Sequence, residues 1–374
     1  MLLENLRTPK VLIEQSRVIA NIDRLQAAVT AKGLRLRPHA KTHKSTRVAR
    51  WQLDRGAVGI CCAKLDEAKI FAENGVENIR LPYPLNPSNA PLLLTLQDQS
   101  RISFIVDHLG VAQQWSELMQ RHRRIAEVLI KVDVGFHRCG IDPNAPGVFD
   151  FIRSVNDLPG LKLSGLLSHA GHGYNAKSEL EMESIAREES RILNSLAKIS
   201  RSNGITISEI SVGATPTLRY SLNEEGITEL RPGNYVYCDR TQVGLGSASL
   251  NDCALTVLAT VVSKPSENRI ILDCGSKTLS SDTARGMEDS KGHGLVFTDL
   301  VGTKPNYSWI VERLSEEHAV VQLESKSTKL EPGDKVRVVP NHSCVVSNLV
   351  NEVYLVDGEK VVDTMQVEAR GTIS

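Results

Sequence analysis

Side chains able to do chemistry concentrate in a few short stretches. The first is Arg37-Pro38-His39-Ala40-Lys41-Thr42-His43-Lys44. So many basic residues would suit a surface loop, but an amine withdrawn from water loses its charge and becomes a nucleophile toward a carbonyl. The second joins Lys131-Val132-Asp133 to Gly135-Phe136-His137-Arg138-Cys139-Gly140. The third, Ser168-His169-Ala170-Gly171-His172-Gly173-Tyr174, sets two histidines and a tyrosine among glycines. A lone histidine is usually structural, whereas this cluster is unusual at a strand end. Gly213-Ala214-Thr215-Pro216-Thr217 and Arg231-Pro232-Gly233-Asn234-Tyr235 are turns whose backbone N–H groups and hydroxyls can hold a phosphate. Turns need glycine anyway, so each alone says little. Together, a buried lysine, phosphate-cradling turns and histidines able to stack on a ring suggest pyridoxal 5′-phosphate (PLP). One more stretch, His342-Ser343-Cys344, sets an imidazole two residues from a thiol. In an extended segment such residues face the same side, and they could share a metal, for which this ligand pair suits zinc. A buried cysteine beside a histidine would explain the bare spacing equally well.

Groups scattered from residue 37 to residue 344 need a scaffold that gathers them. Apolar runs at 34–37, 57–62, 79–83, 102–106, 126–134, 161–169, 207–212 and 227–230 read as strands. Helical patterns alternate with them. The first is expected to start at Ser16 as N-cap, repeats Val18, Ile19, Ile22, Leu25 and Val29 on one face, and stops at Gly33. About eight strand–helix repeats in about 230 residues predict an α/β fold with a parallel sheet closed into a (β/α)8 TIM barrel. An open doubly wound sheet is the alternative, but no GxGxxG follows the first strand. A barrel puts function at the carboxyl ends of its strands, where the stretches above lie. After about residue 239 closely spaced strands take over, at 255–263, 268–273, 307–313, 319–324, 335–339, 352–356 and 360–367, with Asp357-Gly358 as a hairpin turn. The expected division is therefore a barrel over 14–238 and a mostly-β domain over 239–374, with a strand from residues 1–13 alongside.

Composition narrows the function classes. Apolar residues are 41% and charged residues 24% of 374, which excludes disorder. Lys+Arg and Asp+Glu are 44 each, so no global positive field exists to hold nucleic acid or an anionic membrane. No apolar run approaches the ~18–20 residues of a membrane span. The start, MLLENLRTPK, lacks the apolar core of a signal peptide, which makes the cytoplasm the default expectation. Seven cysteines without a CxxC pair indicate neither a disulfide framework nor a zinc finger.

The motifs RPHAKTHK (37–44), LSHAGHGY (167–174), SVGATPT (211–217), ELRPGNYVYCD (229–239), LDCGSKTLSSD (272–282) and PNHSCVVSNL (340–349) span nearly the whole chain. In order and content they resemble the fold-type III PLP enzymes, the alanine racemase group, and in particular the branch containing D-serine dehydratase and D-threonine aldolase. The resemblance implies that Lys41 is the Schiff-base lysine, that His169 stacks on the pyridine ring and that Arg138 approaches the phenolic oxygen. It implies that Gly213, Thr215, Gly233 and Asn234 bind the phosphate. Tyr174 matches a tyrosine near the ring nitrogen in the dehydratase, and Arg231 matches the arginine facing that nitrogen in alanine racemases. The sequence leaves open which of the two points at the ring. His342 and Cys344 match the metal segment of the dehydratase, which implies zinc or another divalent metal. The aldolases often carry aspartate where Cys344 stands, which favours the dehydratase reading. The resemblance further implies a small D-amino-acid substrate and a homodimer with the site near the subunit interface.

These expectations define one leading activity, β-elimination on a D-3-hydroxy amino acid, most simply D-serine to pyruvate and ammonia. Lys41 would serve as base at Cα, and the metal would stabilise the departing hydroxyl. Retro-aldol cleavage of D-threonine is the alternative and needs a base at the β-hydroxyl, for which His172 is the candidate. A racemase would need a second base that no segment clearly supplies. A non-catalytic PLP carrier would leave the β domain unexplained.

Overall fold

The structure is a computed structural model of the chain that describes residues 1–287, 291–323 and 329–374. A first strand, β1 (Lys10–Glu14), precedes eight strands of a parallel sheet. These are β2 (Arg35–Leu36), β3 (Ile60–Cys61), β4 (Asn78–Pro84), β5 (Arg101–Val106), β6 (Ala126–Lys131), β7 (Leu161–Leu167), β8 (Glu209–Val212) and β9 (Glu229–Leu230). The spatial order is β2-β9-β8-β7-β6-β5-β4-β3. A parallel bridge from His39 to Cys61 joins the two ends, and the Cys61 N–H donates to the Pro38 carbonyl at 2.7 Å, so the ring closes as a barrel.

The strands alternate with helices that bury one face each. The helix Gln15–Ala31 turns Val18, Ile22, Leu25 and Val29 inward, at the spacing of a 3.6-residue repeat. Its N-cap is Glu14 rather than Ser16, because β1 runs directly into the first turn. The helix Glu179–Ser202 begins at a true cap, where the Ser178 hydroxyl accepts from the Glu181 N–H at 3.2 Å.

The barrel's strands also hold a ladder of buried charge. Arg37 Nε lies 2.8 Å from one Glu229 oxygen, and Arg80 Nη1 lies 2.5 Å from the other. Arg80 Nη2 reaches Glu209 at 2.7 Å. Burial alone would raise the pKa of Glu229, but the guanidinium groups of Arg37 and Arg80 outweigh it and hold the carboxyl at about 2. Its folded-state pKa thus lies below the ordinary 4.5. The ladder's contribution is complete above pH ~4.5 and is lost as pH falls toward about 2. Glu229→Gln is expected to cost about 3–5 kcal/mol at neutral pH, because it leaves buried guanidinium groups uncompensated. Urea titrations at neutral pH and between pH 4.5 and 2 check both the loss and a flatter acid limb in the variant.

The second unit is antiparallel. Strands β10 (Leu255–Ser266), β11 (Arg269–Leu272), β12 (Gly294–Phe297), β13 (Pro305–Leu314), β14 (Ala319–Gln322) and β15 (Lys335–Pro340) close on themselves in the order β10-β11-β14-β13-β12-β15. The hairpin β16 (Glu352–Asp357) and β17 (Lys360–Gln366) extends this sheet through β1, which pairs antiparallel with β10 and parallel with β16. β12 was not predicted from the sequence. The predicted strand over 319–324 ends at Gln322, and residue 324 lies outside the described residues. Among the described residues no helix is long and apolar enough to cross a membrane.

Candidate active site

The carboxyl ends of the barrel strands and the near edge of the β domain enclose a cavity of about 290 Å³. Its lining includes Lys41, Arg138, His169, Tyr174, Gly213, Thr215, Arg231, Gly233, Asn234, His342 and Cys344. These are all the predicted site residues but one. His172 is not in the lining. It lies on the 3-10 helix Gly171–Asn175, where Gly171 and Tyr174 share the cavity-facing side, and its ring packs on Gly135 instead.

Lys41 sits in a single helical turn, Ala40–Thr42, directly after β2. Its ammonium has no hydrogen-bond partner among the described residues, and its backbone N–H donates to His39 Nδ1 at 3.4 Å. Lys44 is buried and committed elsewhere, donating to the carbonyls of Ala369 and Thr372 at 3.2 Å each. His169 donates from Nδ1 to the Gly213 carbonyl at 2.7 Å, which leaves Nε2 without a proton. Burial, then the charge of Lys41, holds this imidazole neutral, with its pKa well below the usual value. Phe136 packs edge-on against His169 at 5.7 Å, and the Arg138 guanidinium lies 5.0 Å from the Phe136 ring centre. The cavity thus has a ring-bearing wall.

The two glycine turns meet the requirements of a phosphate cradle. A Cβ on Gly213 would come within 2.7 Å of the Arg231 backbone nitrogen, and one on Gly233 within 2.8 Å of Thr42 Oγ1. Only glycine fits there without a shift of its neighbours. Thr215 Oγ1, near the Tyr174 hydroxyl, and Asn234 Oδ1 are buried beside them, and Asn234 Oδ1 has no partner among the described residues. Lys41 is exposed to the cavity rather than buried as the sequence suggested, and an accessible amine, an aromatic wall and an unfilled polar cradle in one cavity fit PLP.

Arg231 stands at the ends of three strands. Its Nε donates to Ser211 Oγ at 2.7 Å, and its Nη2 donates to the Ser168 carbonyl. The Tyr174 hydroxyl instead accepts from Gln242 Nε2 at 3.4 Å, beside the helix Arg240–Gly244.

His342 and Cys344 reach the cavity by a route the sequence did not suggest. They are not on a strand. β15 ends at Pro340, His342 is the N-cap of the helix Ser343–Asn348, and Cys344 lies in its first turn. Cys344 Sγ is 3.1 Å from the hydroxyl of Thr42, the neighbour of Lys41 in the chain. Asp282 Oδ2 lies 2.6 Å from His342 Nδ1. Burial opposes the charge on His342, but the Cys344 sulfur, Asp239 and Asp282 raise its pKa to about 10. Burial likewise opposes a Cys344 thiolate, and His342 and Lys41 overcome it, so that its pKa is lowered. The thiolate is the form that ligates a metal. No cluster of three or more His, Cys, Asp or Glu residues able to hold a metal occurs among the described residues. The donor set is this pair, with a carboxylate behind the imidazole, which fits a metal that keeps open positions.

Several cavity residues were not assigned a role from sequence. Asp239 accepts from Asn234 Nδ2 at 2.5 Å, from the Gln242 N–H at 3.0 Å and from the Ser343 N–H at 2.9 Å. It ties the cradle to the His342–Cys344 segment. Lys131 ends β6, and burial followed by the charge of Arg231 lowers its pKa to about 7. Asp282 falls inside a quoted motif, and the only signal in sequence was that membership.

Comparison with known proteins agrees with this geometry. Residues 13–241 match the family model of the alanine racemase N-terminal domain, and residues 254–356 match a serine dehydratase domain. A D-threonine aldolase of Arthrobacter sp. is 31% identical over 97% of this chain and 93% of its own. A D-serine dehydratase of Dictyostelium discoideum is 27% identical over 96% of this chain and 95% of its own. The solved structure of D-threo-3-hydroxyaspartate dehydratase from Delftia sp. HT23 superposes with a TM-score of 0.91 at 29% identity, covering 98% of both chains. One structure of that dehydratase is a cysteine-to-alanine mutant in the metal-free form. The chain therefore belongs to the fold-type III, alanine racemase-like family of PLP enzymes that carry a serine dehydratase domain.

Proposed function

We propose that this chain is a PLP- and zinc-dependent lyase of D-3-hydroxy amino acids that works by β-elimination, with D-serine as the simplest substrate and homodimerisation as part of the same reading. One observation carries it: His342 and Cys344 line the same cavity as Lys41, and Cys344 touches the residue next to it. Bound PLP supplies an electron sink that acidifies Cα–H, and a bound zinc supplies positive charge for a departing hydroxyl.

The chain's own groups divide the remaining work. Lys41 would hold the cofactor and, as a free amine, would be the base for the proton at Cα. Gly213, Thr215, Gly233 and Asn234 hold the phosphate, and neutral His169 offers a flat face to the ring. Arg231, anchored to Ser168 and Ser211, and Tyr174, whose hydroxyl accepts from Gln242 and keeps its own proton to donate, both remain candidates for the ring nitrogen. His342 and Cys344 would hold the metal: Asp282 fixes the imidazole through Nδ1, and His342 would give up, on ligation, the proton that it otherwise keeps on Nε2.

Retro-aldol cleavage needs a base at the β-hydroxyl, and the position of His172 outside the lining leaves that reading without its candidate. The test is incubation of holoenzyme with D-serine, D-threonine and D-3-hydroxyaspartate, with product identification. Release of a 2-oxo acid and ammonia is expected. Glycine and an aldehyde as the main products would replace elimination by retro-aldol chemistry.

A further inference from the structure

Five cationic side chains line the cavity, namely Lys41, Lys131, Arg138, Arg231 and Arg285. Lys131 and Arg285 have no role in the scheme above, and Lys131 is buried at the end of β6. Arg285 comes from the β domain, on the segment between the short helix Ser276–Leu279 and β12. It makes no ion pair or hydrogen bond among the described residues, although two carboxylates line the same cavity. Both are occupied. Asp239 accepts from Asn234, Gln242 and Ser343, and Asp282 faces His342. Arg231 is bound to Ser168 and Ser211, and Arg138 lies against Phe136.

The segment is pinned on both sides of Arg285. The Asp282 carbonyl accepts from Asn341 Nδ2 at 2.9 Å, and the Met287 N–H donates to the Gly244 carbonyl at 3.0 Å. Arg285 itself is exposed, and a guanidinium at a cavity wall with no carboxylate partner among the described residues is able to receive one. Arg285 lies three residues along the chain from Asp282, which orients the metal-pair histidine, and lines the same cavity as that histidine.

We propose that Arg285 binds an anionic group on Cβ, so that the preferred substrate is a D-3-hydroxy amino acid with a second carboxylate, of the 3-hydroxyaspartate type. This rests on the lyase reading above for the position of Cβ. The test has a binding arm that needs no turnover. D-Aspartate, which has no β-hydroxyl to lose, and D-alanine are titrated against holoenzyme and followed by the cofactor's absorbance. D-Aspartate is expected to bind roughly ten- to a hundredfold tighter, Arg285→Gln to bring the two within about twofold, and Arg285→Lys to keep part of the difference. In turnover, Arg285→Gln should lower the kcat/KM ratio of D-threo-3-hydroxyaspartate to D-serine by about tenfold or more, chiefly through KM. D-Aspartate preference through Arg285 without cleavage of any 3-hydroxy amino acid would refute the lyase reading and keep the arginine's assignment. An unchanged D-aspartate preference in Arg285→Gln, or none in the native protein, overturns the proposal.

Discussion

Lys41→Ala is expected to reduce D-serine elimination by about 10³-fold or more, because one substitution removes both the covalent attachment and the proposed base at Cα. The variant should fold normally, since the Lys41 ammonium has no partner within the chain among the described residues. Thermal unfolding of the apoprotein should therefore move little, whereas the yellow absorbance of the attached cofactor should disappear. Borohydride reduction of native holoenzyme should place the label on Lys41. Lys44, two residues from Thr42, is the natural rival by sequence but is bound to Ala369 and Thr372. A label on Lys44 would require those bonds to break and would remove the basis for the site as described.

Metal removal is expected to be nearly as damaging, and to act on a different step. Chelation of holoenzyme should lower 2-oxo acid release by about 10²-fold or more, the scale on which loss of one charge-stabilising group slows a reaction. The cofactor's absorbance should remain, because the Lys41 attachment and the phosphate cradle do not depend on the pair. Zinc should restore activity better than magnesium, given a sulfur and a nitrogen donor. Cys344→Ala should bind less zinc per subunit by elemental analysis, which reads the site independently of activity. Asp282→Asn should weaken the same affinity about ten- to a hundredfold, as expected when the group behind a ligating imidazole is lost. Full elimination by metal-free protein would remove the metal from the mechanism.

What the sequence disclosed follows the range of the interactions concerned. The barrel was legible because parallel strands buried on both faces, such as Ala126–Lys131, are continuous apolar runs, and the helices between them repeat at helical spacing. Lys41, His169 and the two glycine turns were legible because each stands in a motif at a strand end. Short elements set by neighbours were not. β12 is four residues between β13 and β15, and its strand character comes from those partners. The helix Ser343–Asn348 contains Cys-Val-Val, a β-like run, and it is fixed by the Ser343 N–H bond to Asp239 and by the Ser347 hydroxyl on the Thr42 carbonyl. Two histidines three residues apart look equivalent in sequence, yet His169, ahead of the 3-10 turn, lines the cavity, while His172, on that turn, does not. Asp282 met His342, and Arg285 met the cavity, across some 60 residues of chain, a separation at which local pattern carries no signal.

The pairing of β1 has a consequence for how the chain comes off the ribosome. Lys10 lies opposite Leu258, and Leu12 lies beside Tyr354, so a strand translated before the barrel is sandwiched between strands translated after it. At cellular elongation speeds its partners are absent for on the order of ten seconds or more. During that interval an apolar strand with open hydrogen-bonding edges must be sheltered by something other than its native neighbours. Contacts of such high order make nucleation of the β unit slow compared with that of the barrel's adjacent repeats. A recombinant fragment beginning at residue 239 would also lack this middle strand, leaving β10 and β16 each with an exposed edge.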